Sequence, residues 1–162
     1  MLSAAVSAYG QVDRKDVRKG NREFRKENYK EADIDYRKAL VKDSLSLAAN
    51  YNLANTLYRN GDMEQAKHVL DRIKDVAPAS ASAADYYFNA GDVAIARQDW
   101  QGAVEAFAKS LLINPGDLEA KENYIYAKEK LKDQQQNQQN QQNQDQNQDQ
   151  NQNDDQQNQN QN

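Results

Sequence analysis

The sequence predicts an all-α solenoid of stacked helical hairpins over residues 13–132, with a disordered tail after it. Three observations carry that expectation. The first is recurrence: Gly20, Tyr29, Ala32, Tyr36 and Ala39 return 34 residues on as Ala54, Met63, Ala66, Leu70 and Ile73. They return again, 37 residues further, as Gly91, Trp100, Ala103, Phe107 and Ser110. The second is spacing, since Ala32/Tyr36/Ala39, Ala66/Leu70/Ile73 and Ala103/Phe107/Ser110 step by four and three, one face of a helix. The third is punctuation. Each of these helices follows a polar break, Glu27-Asn28, Gly61-Asp62 or Gln98-Asp99, whose second residue is of a capping type. Small residues fall where two helices must come close, and bulky ones where they interdigitate.

A unit of this length and layout resembles the tetratricopeptide repeat, two antiparallel helices per unit, over residues 13–117. The resemblance implies a right-handed solenoid of three helix-turn-helix repeats, 13–46, 47–80 and 84–117, closed by a C-terminal capping helix, 118–132. Ala81-Ser82-Ala83 is then a three-residue insertion, and the stretch from Ala77 to Ala84 either extends the next helix or loops out. Asn28 with Glu31 and Asp62 with Gln65 have the spacing of a capping box. Pro78 and Pro115 stand just past helix ends, where proline cannot continue the ladder.

The first helix of repeat one should occupy roughly 13–27. Its Asp16, Lys19 and Glu23 stand where repeat two has Asn50, Leu53 and Leu57 and repeat three has Tyr87, Ala90 and Ala94. Those are stacking positions, and polar residues there give the wet outer face of a first repeat. Trp100, in the place of Tyr29 and Met63, is expected to pack in the core. Asp117 should cap the last helix, whose Leu118, Tyr124, Ile125 and Leu131 cover repeat three. Its Lys121, Glu122, Lys128, Glu129 and Lys132 then face water.

The two ends are of other kinds. Residues 1–12 are small and mildly apolar, and Ala5-Val6-Ser7-Ala8 has the small-x-small look of a signal-peptidase site. The basic start and apolar centre of a secretory signal are missing, so the segment reads as the remnant of an export signal or as a disordered terminus. Residues 134–162 are only Gln, Asn and Asp, with no apolar side chain to offset ordering entropy, and a disordered Gln/Asn-rich spacer is expected. The net charge of −4 also resides there: without Asp145, Asp149, Asp154 and Asp155, 21 acidic residues face 21 basic ones. A neutral body offers no general lure for nucleic acid. No cysteine is present, no cofactor is implied, and no apolar run approaches the roughly 18 residues that span a bilayer.

Catalysis has little to stand on. His68 is the one histidine and sits mid-helix, no glycine-rich phosphate loop occurs, and the acids lie at helical spacing beside Lys and Arg. The chain therefore reads as a non-enzyme without a metal site. The concave surface is more informative. In the family resembled, the first helix of each unit lines it. Carried over, this implies Arg14, Val17, Arg18, Asn21, Phe24 and Arg25 from repeat one. Repeat two supplies Ala48, Tyr51, Asn52, Asn55, Tyr58 and Arg59. Repeat three supplies Asp85, Phe88, Asn89, Asp92, Ile95 and Ala96, and the last helix adds Asn123 and Tyr126. Asn21, Asn52, Asn55, Asn89 and Asn123 thus share one groove. An amide offers donor and acceptor together, so such a row suits an extended peptide backbone, with Tyr51, Tyr58 and Phe88 adding apolar contact. Arg25 and Arg59, one repeat apart, bias their end toward acidic segments. Some family members clamp a C-terminal carboxylate with Lys, Asn and Arg. Asn21 and Asn52 match that set, but Val17, Asp85 and Asn89 depart from it.

A narrower resemblance runs over residues 13–133, in VRKGNREFRKENYKEADIDYRKAL, NYNLANTLYRNGDMEQA and NPGDLEAKENYIYAKEKLK, and extends to the tail's composition. It is to the small repeat proteins of the Bacteroides aerotolerance group. That resemblance implies an exported, periplasmic or otherwise extracytoplasmic adaptor in a bacterial envelope stress complex, with a membrane-anchored von Willebrand A-type protein as partner; a cytoplasmic place is the alternative. The expected function is binding of a protein or peptide segment in the groove by a monomer. Its rival is a self-associating structural component whose groove is filled by its own chain or a second copy.

Overall fold

The computed structural model describes the backbone of residues 13–159 and the side chains of residues 13–140. Residues 1–12, where the export remnant or disordered terminus was expected, lie outside the described residues. The described chain is all helical. Seven α-helices follow one another: α1 (Arg14–Arg25), α2 (Tyr29–Lys42), α3 (Leu47–Arg59), α4 (Met63–Arg72), α5 (Ala83–Ala96), α6 (Trp100–Ile113) and α7 (Leu118–Gln159). They pack as sequential antiparallel pairs, α1 on α2, α3 on α4 and α5 on α6, with α7 laid against α6 and α5. The first helices also touch one another, α1 with α3, α3 with α5 and α5 with α7, which places all four on one side of the solenoid.

Within each hairpin a small residue meets a large one. A Cβ added to Gly20 would fall 2.6 Å from the Tyr36 ring, and one added to Gly91 would fall 2.6 Å from the Phe107 ring. Repeat two has a different pair at the same repeat positions, Ala54 and Leu70, both buried in the same core. A glycine lets the ring lie on bare backbone; an alanine leaves room only for the narrower leucine. The whole predicted face is buried: Ala32, Tyr36, Ala39, Ala66, Leu70, Ile73, Ala103, Phe107 and Ser110 are each at most 3 % exposed.

The turns inside the hairpins are one motif used three times. The amides of Asn28, Asp62 and Asp99 donate to Glu23, Leu57 and Ala94 carbonyls at 3.0, 2.9 and 2.9 Å, the long bond of a Schellman turn. Glu27, Gly61 and Gln98 take the left-handed conformation that this turn needs, with φ of 61°, 80° and 58°. The turn also overrides the expected capping boxes. Asp62 and Asp99 do cap, accepting from Gln65 N at 3.1 Å and Gly102 N at 3.0 Å. Gln65, however, meets the Asp62 carboxylate and not its amide, because that amide already belongs to Leu57. Asn28 makes no side-chain cap; its Nδ2 donates to Glu23 at 3.0 Å. Ser46 caps α3 instead, accepting from Ala49 N and donating to the buried Asp13 carboxylate.

The outer face of repeat one is polar as expected, and its charges tie α1 to α2. Lys19 reaches Asp35 at 2.9 Å, and Asp16 takes Lys42. Between repeats two and three the insertion loops out: Ala77–Ala79 make a 3₁₀ turn and α5 opens at Ala83. Three expectations need correction. Trp100 is only half-buried and sits edge-on to Tyr126, ring centroids 6.0 Å apart, because position one of α6 lies at the rim. Leu118 and Ile125 do not cover repeat three but stand 71 % and 56 % exposed. Ala120 and Ala127, both fully buried, press on it, with Tyr124 and Leu131 half-buried beside them. Two alanines seven residues apart let the helix axis come close, which larger side chains would prevent.

The third correction concerns the tail. The last helix does not end near 132 but continues through Gln159, 42 residues in all. Glutamine is a fair helix former, and neither proline nor glycine interrupts the run. Side chains from Gln134 to Asn140 are exposed, so this described part of the extension gains no burial from the solenoid. A helix held by propensity alone is marginal in water.

Two outcomes follow from the packing. Gly91→Ala should destabilise the fold by about 1–3 kcal/mol in urea denaturation, despite alanine's better helix propensity, because Phe107 must move. Adding Phe107→Leu recreates the repeat-two pair, so the double variant should be more stable than the two single losses added together. Deleting 134–162 should leave the melting temperature unchanged while lowering the helical circular dichroism signal, since its described side chains, 134–140, are all exposed.

Candidate functional site

The aligned first helices α1, α3, α5 and α7 form a groove in which the amides are already linked to one another. Asn21 Oδ1 accepts from the Tyr36 hydroxyl at 2.7 Å and from Asn52 Nδ2 at 2.9 Å. That spends one end of each amide and leaves Asn21 Nδ2 and Asn52 Oδ1 for a ligand. Burial drives the Tyr36 phenol up to about 12, so it stays a donor throughout the physiological range. Asn21, Phe24, Arg25, Tyr36, Asn52 and Asn55 line one cavity of 170 Å³ here.

Farther along, the Tyr51 hydroxyl lies beside the amides of Asn55 and Asn89. Burial first, then the charge of Asp85, raises the Tyr51 phenol above its ordinary value. Asn89 is 8 % exposed, and its Nδ2, though near the Tyr51 hydroxyl, does not reach hydrogen-bond geometry with it or with any other described group. A buried donor left unmade costs free energy, and a ligand acceptor would recover it. One turn on, Asp92 accepts from Asn123 Nδ2 at 3.2 Å. Desolvation, helped by the charge of Glu119, pushes Asp92 up to about 6 against the opposing pull of Arg59. Burial and the Asp92 charge likewise raise Tyr58.

The structure therefore brings the predicted residues into two clusters. Asn21, Arg25, Asn52 and Asn55 meet at the α1–α3 half, and Tyr51, Tyr58, Arg59, Asn89 and Asn123 gather around Asp92. Phe88 gives the groove little, since it stands edge-on to Phe107 at 5.7 Å and is half-buried. Tyr126 is turned to Trp100 and lies under Lys130. Sequence reasoning missed the hole behind the row. Leu47, Ala48, Tyr51, Asn52, Ile73, Ala77, Ser80, Ser82 and Tyr86 enclose a cavity of 290 Å³ where the insertion separates repeats two and three. The insertion was the available signal. A larger open depression, 630 Å³, lies between α4 and the end of α5, but apart from Arg72 its charged residues pair among themselves, Arg97 with Glu64 and Lys67 with Asp71, both at 2.6 Å. His68 is exposed there, and no cluster of metal-ligating side chains occurs among the described residues.

A profile of the tetratricopeptide repeat matches residues 17–81 and 51–118. The chain belongs to the tetratricopeptide repeat family. Solved structures agree with that assignment. The first tetratricopeptide domain of human RPAP3 is 20 % identical with a TM-score of 0.69, covering 76 % of this chain and 94 % of that one. The first such domain of Spaghetti (RPAP3), solved with the HSP90 peptide SRMEEVD, is 21 % identical with a TM-score of 0.69, covering 75 % and 94 %. The Sgt2 domain from Aspergillus fumigatus is 20 % identical with a TM-score of 0.69, covering 78 % and 83 %. No curated protein matches the chain.

The raised Asp92 carboxyl has a stability consequence in this tetratricopeptide fold. Its ordinary value is 3.8, so the folded state holds the proton more tightly and ionisation opposes folding. Asp92→Asn should therefore stabilise the protein at pH 7, by about 1 kcal/mol after allowing for the solvent that still reaches the group. The advantage should shrink as pH falls from about 6 to 4, read by thermal melts across that window.

Proposed function

We propose that this tetratricopeptide protein is an interaction adaptor that holds an extended partner segment in the concave groove. The observation that carries the reading is the half-used amide row: Asn21 and Asn52 are fixed by each other and by Tyr36, yet each keeps a free polar end. Pre-fixed amides bind a peptide backbone with little further loss of side-chain freedom. Arg25 lies beside this row and favours an acidic residue at the α1 end of the segment. The RPAP3 domains solved with HSP90 and HSP70 peptides lend support at the level of the fold. The carboxylate clamp does not carry over, because Asp85 would repel the terminal carboxylate it serves.

The likeness of residues 13–133 to the aerotolerance group supports a finer reading: an extracytoplasmic place in a bacterial envelope complex, facing a membrane-anchored von Willebrand A-type protein. Crosslinking from envelope and cytosol in parallel tests the compartment and the partner together. A self-associating role is the second reading, favoured by Leu118 and Ile125, which stand exposed on one side of α7 where a further helix would pack. A concentration-dependent dimer in light scattering would support it.

Asn52→Ala with Asn55→Ala should weaken partner binding by about 1–3 kcal/mol in calorimetry. The fold should lose only about 1 kcal/mol, chiefly from the Asn52–Asn21 bond. Arg25→Ala should slow association and flatten its salt dependence, since Arg25 alone of the predicted pair stands at the α1 end while Arg59 lies by Asp92. Undiminished binding by the asparagine pair would place the partner elsewhere.

A further inference from the structure

The two halves of the groove differ in charge. The α1 end carries Arg14, Arg18 and Arg25, all exposed. The half built by α3, α5 and α7 is acidic. Asp85 and Asp92 both act on the Tyr51 phenol, Asp92 acts on Tyr58, and Glu119 acts on Asp92. Asp92 is half-buried with a single hydrogen bond, from Asn123. Arg59 from α3 is the basic group that acts on it, without closing on it as an ion pair. On the other side of α5, α6 packs through Phe107 on Gly91. Tyr51 and Tyr58 lie within reach of this carboxylate's charge, and one turn earlier stands the Asn89 amide, more than nine-tenths buried with its Nδ2 unpartnered.

Each part asks for something a ligand can bring. A desolvated carboxylate is relieved by a cation, and tyrosine rings attract ammonium and guanidinium groups. An unmade buried N–H requires an acceptor, which the backbone carbonyl next to that cation supplies. We propose that the α3–α5–α7 half of the groove is a subsite for a basic side chain of the bound segment, with Asp92 as its counter-ion and Asn89 as donor to the neighbouring carbonyl. The subsite rests on the groove reading above and makes it directional. A segment acidic at the α1 end and basic at the α5–α7 end fits in one orientation only; the reverse sets Asp92 against an acid and Arg25 against a base.

The test uses the full chain, labelled for amide-resolved NMR, and two blocked tripeptides: glycyl-arginyl-glycine amide and its citrulline counterpart, equal in shape but uncharged. At pH 7 the arginine peptide should shift the signals of Asn89, Asp92 and Asn123 and bind at least about fivefold more tightly than the citrulline peptide. Lowering the pH to 5 should weaken the arginine peptide by up to about tenfold, as Asp92 takes a proton, and leave the citrulline peptide unchanged. Asp92→Asn, which should fold at least as well as the parent, should remove the preference for arginine. Equal binding of the two peptides, an arginine preference that survives Asp92→Asn, or shifts confined to residues 141–162 would overturn the subsite. A subsite that fails leaves the amide row intact. Failure of the Asn52/Asn55 pair to affect partner binding would instead sink the groove reading.

Discussion

Everything in this molecule depends on how closely two helices of a hairpin can approach. Gly20 under Tyr36 and Gly91 under Phe107 set that distance, with Ala54 and Leu70 at the same repeat positions in the second hairpin, and the stacking of one hairpin on the next follows from it. The large partner is buried in every case, so the contact is a volume constraint with no slack: a methyl added on one side must be removed from the other. Close approach also brings the first helices into one row, and that row is the groove. Packing inside the hairpins and ligand geometry outside them therefore share one cause.

The groove is built from polar side chains that have settled part of their hydrogen bonding among themselves. The Tyr36–Asn21–Asn52 chain and the Asn123–Asp92 bond fix rotamers before anything binds. What stays open is specific: an amide nitrogen on Asn21, an oxygen on Asn52, a buried nitrogen on Asn89 and a poorly solvated carboxylate on Asp92. Holding Asn89 and Asp92 in that condition costs stability. Such a cost accords with the proposal that a bound segment completes these groups.

Much of this was legible in the sequence, and the boundary of legibility has physical reasons. The 4-and-3 spacing of Ala32, Tyr36 and Ala39 and its two copies led to the hairpins and their buried faces, because burial imposes helical period directly. Asn21, Arg25, Asn52 and Asn55 were placed together through their repeat positions. The cover of repeat three was misjudged because Leu118 and Ile125 look like packing residues, whereas Ala120 and Ala127 win by allowing closer approach. Asn28 looks like a cap, but its side-chain amide is drawn back to the Glu23 carboxylate, a partner that Asp62 and Asp99 do not have. Charge in the groove was hidden too: nothing in the residue type of Asp92 tells that burial will outweigh Arg59. The helical course of residues 134–159 turns on propensity alone, where no packing pattern exists to read.

The Schellman turns at Glu27, Gly61 and Gln98 are made almost wholly of backbone bonds. Hairpin shape is thus insulated from the identity of the side chains that line the concave side. A surface so insulated can be rewritten residue by residue, as type is reset in a fixed frame. The scaffold that presents Asn52 and Asp92 here would present other chemistries at the same coordinates, with the curvature of the groove unchanged.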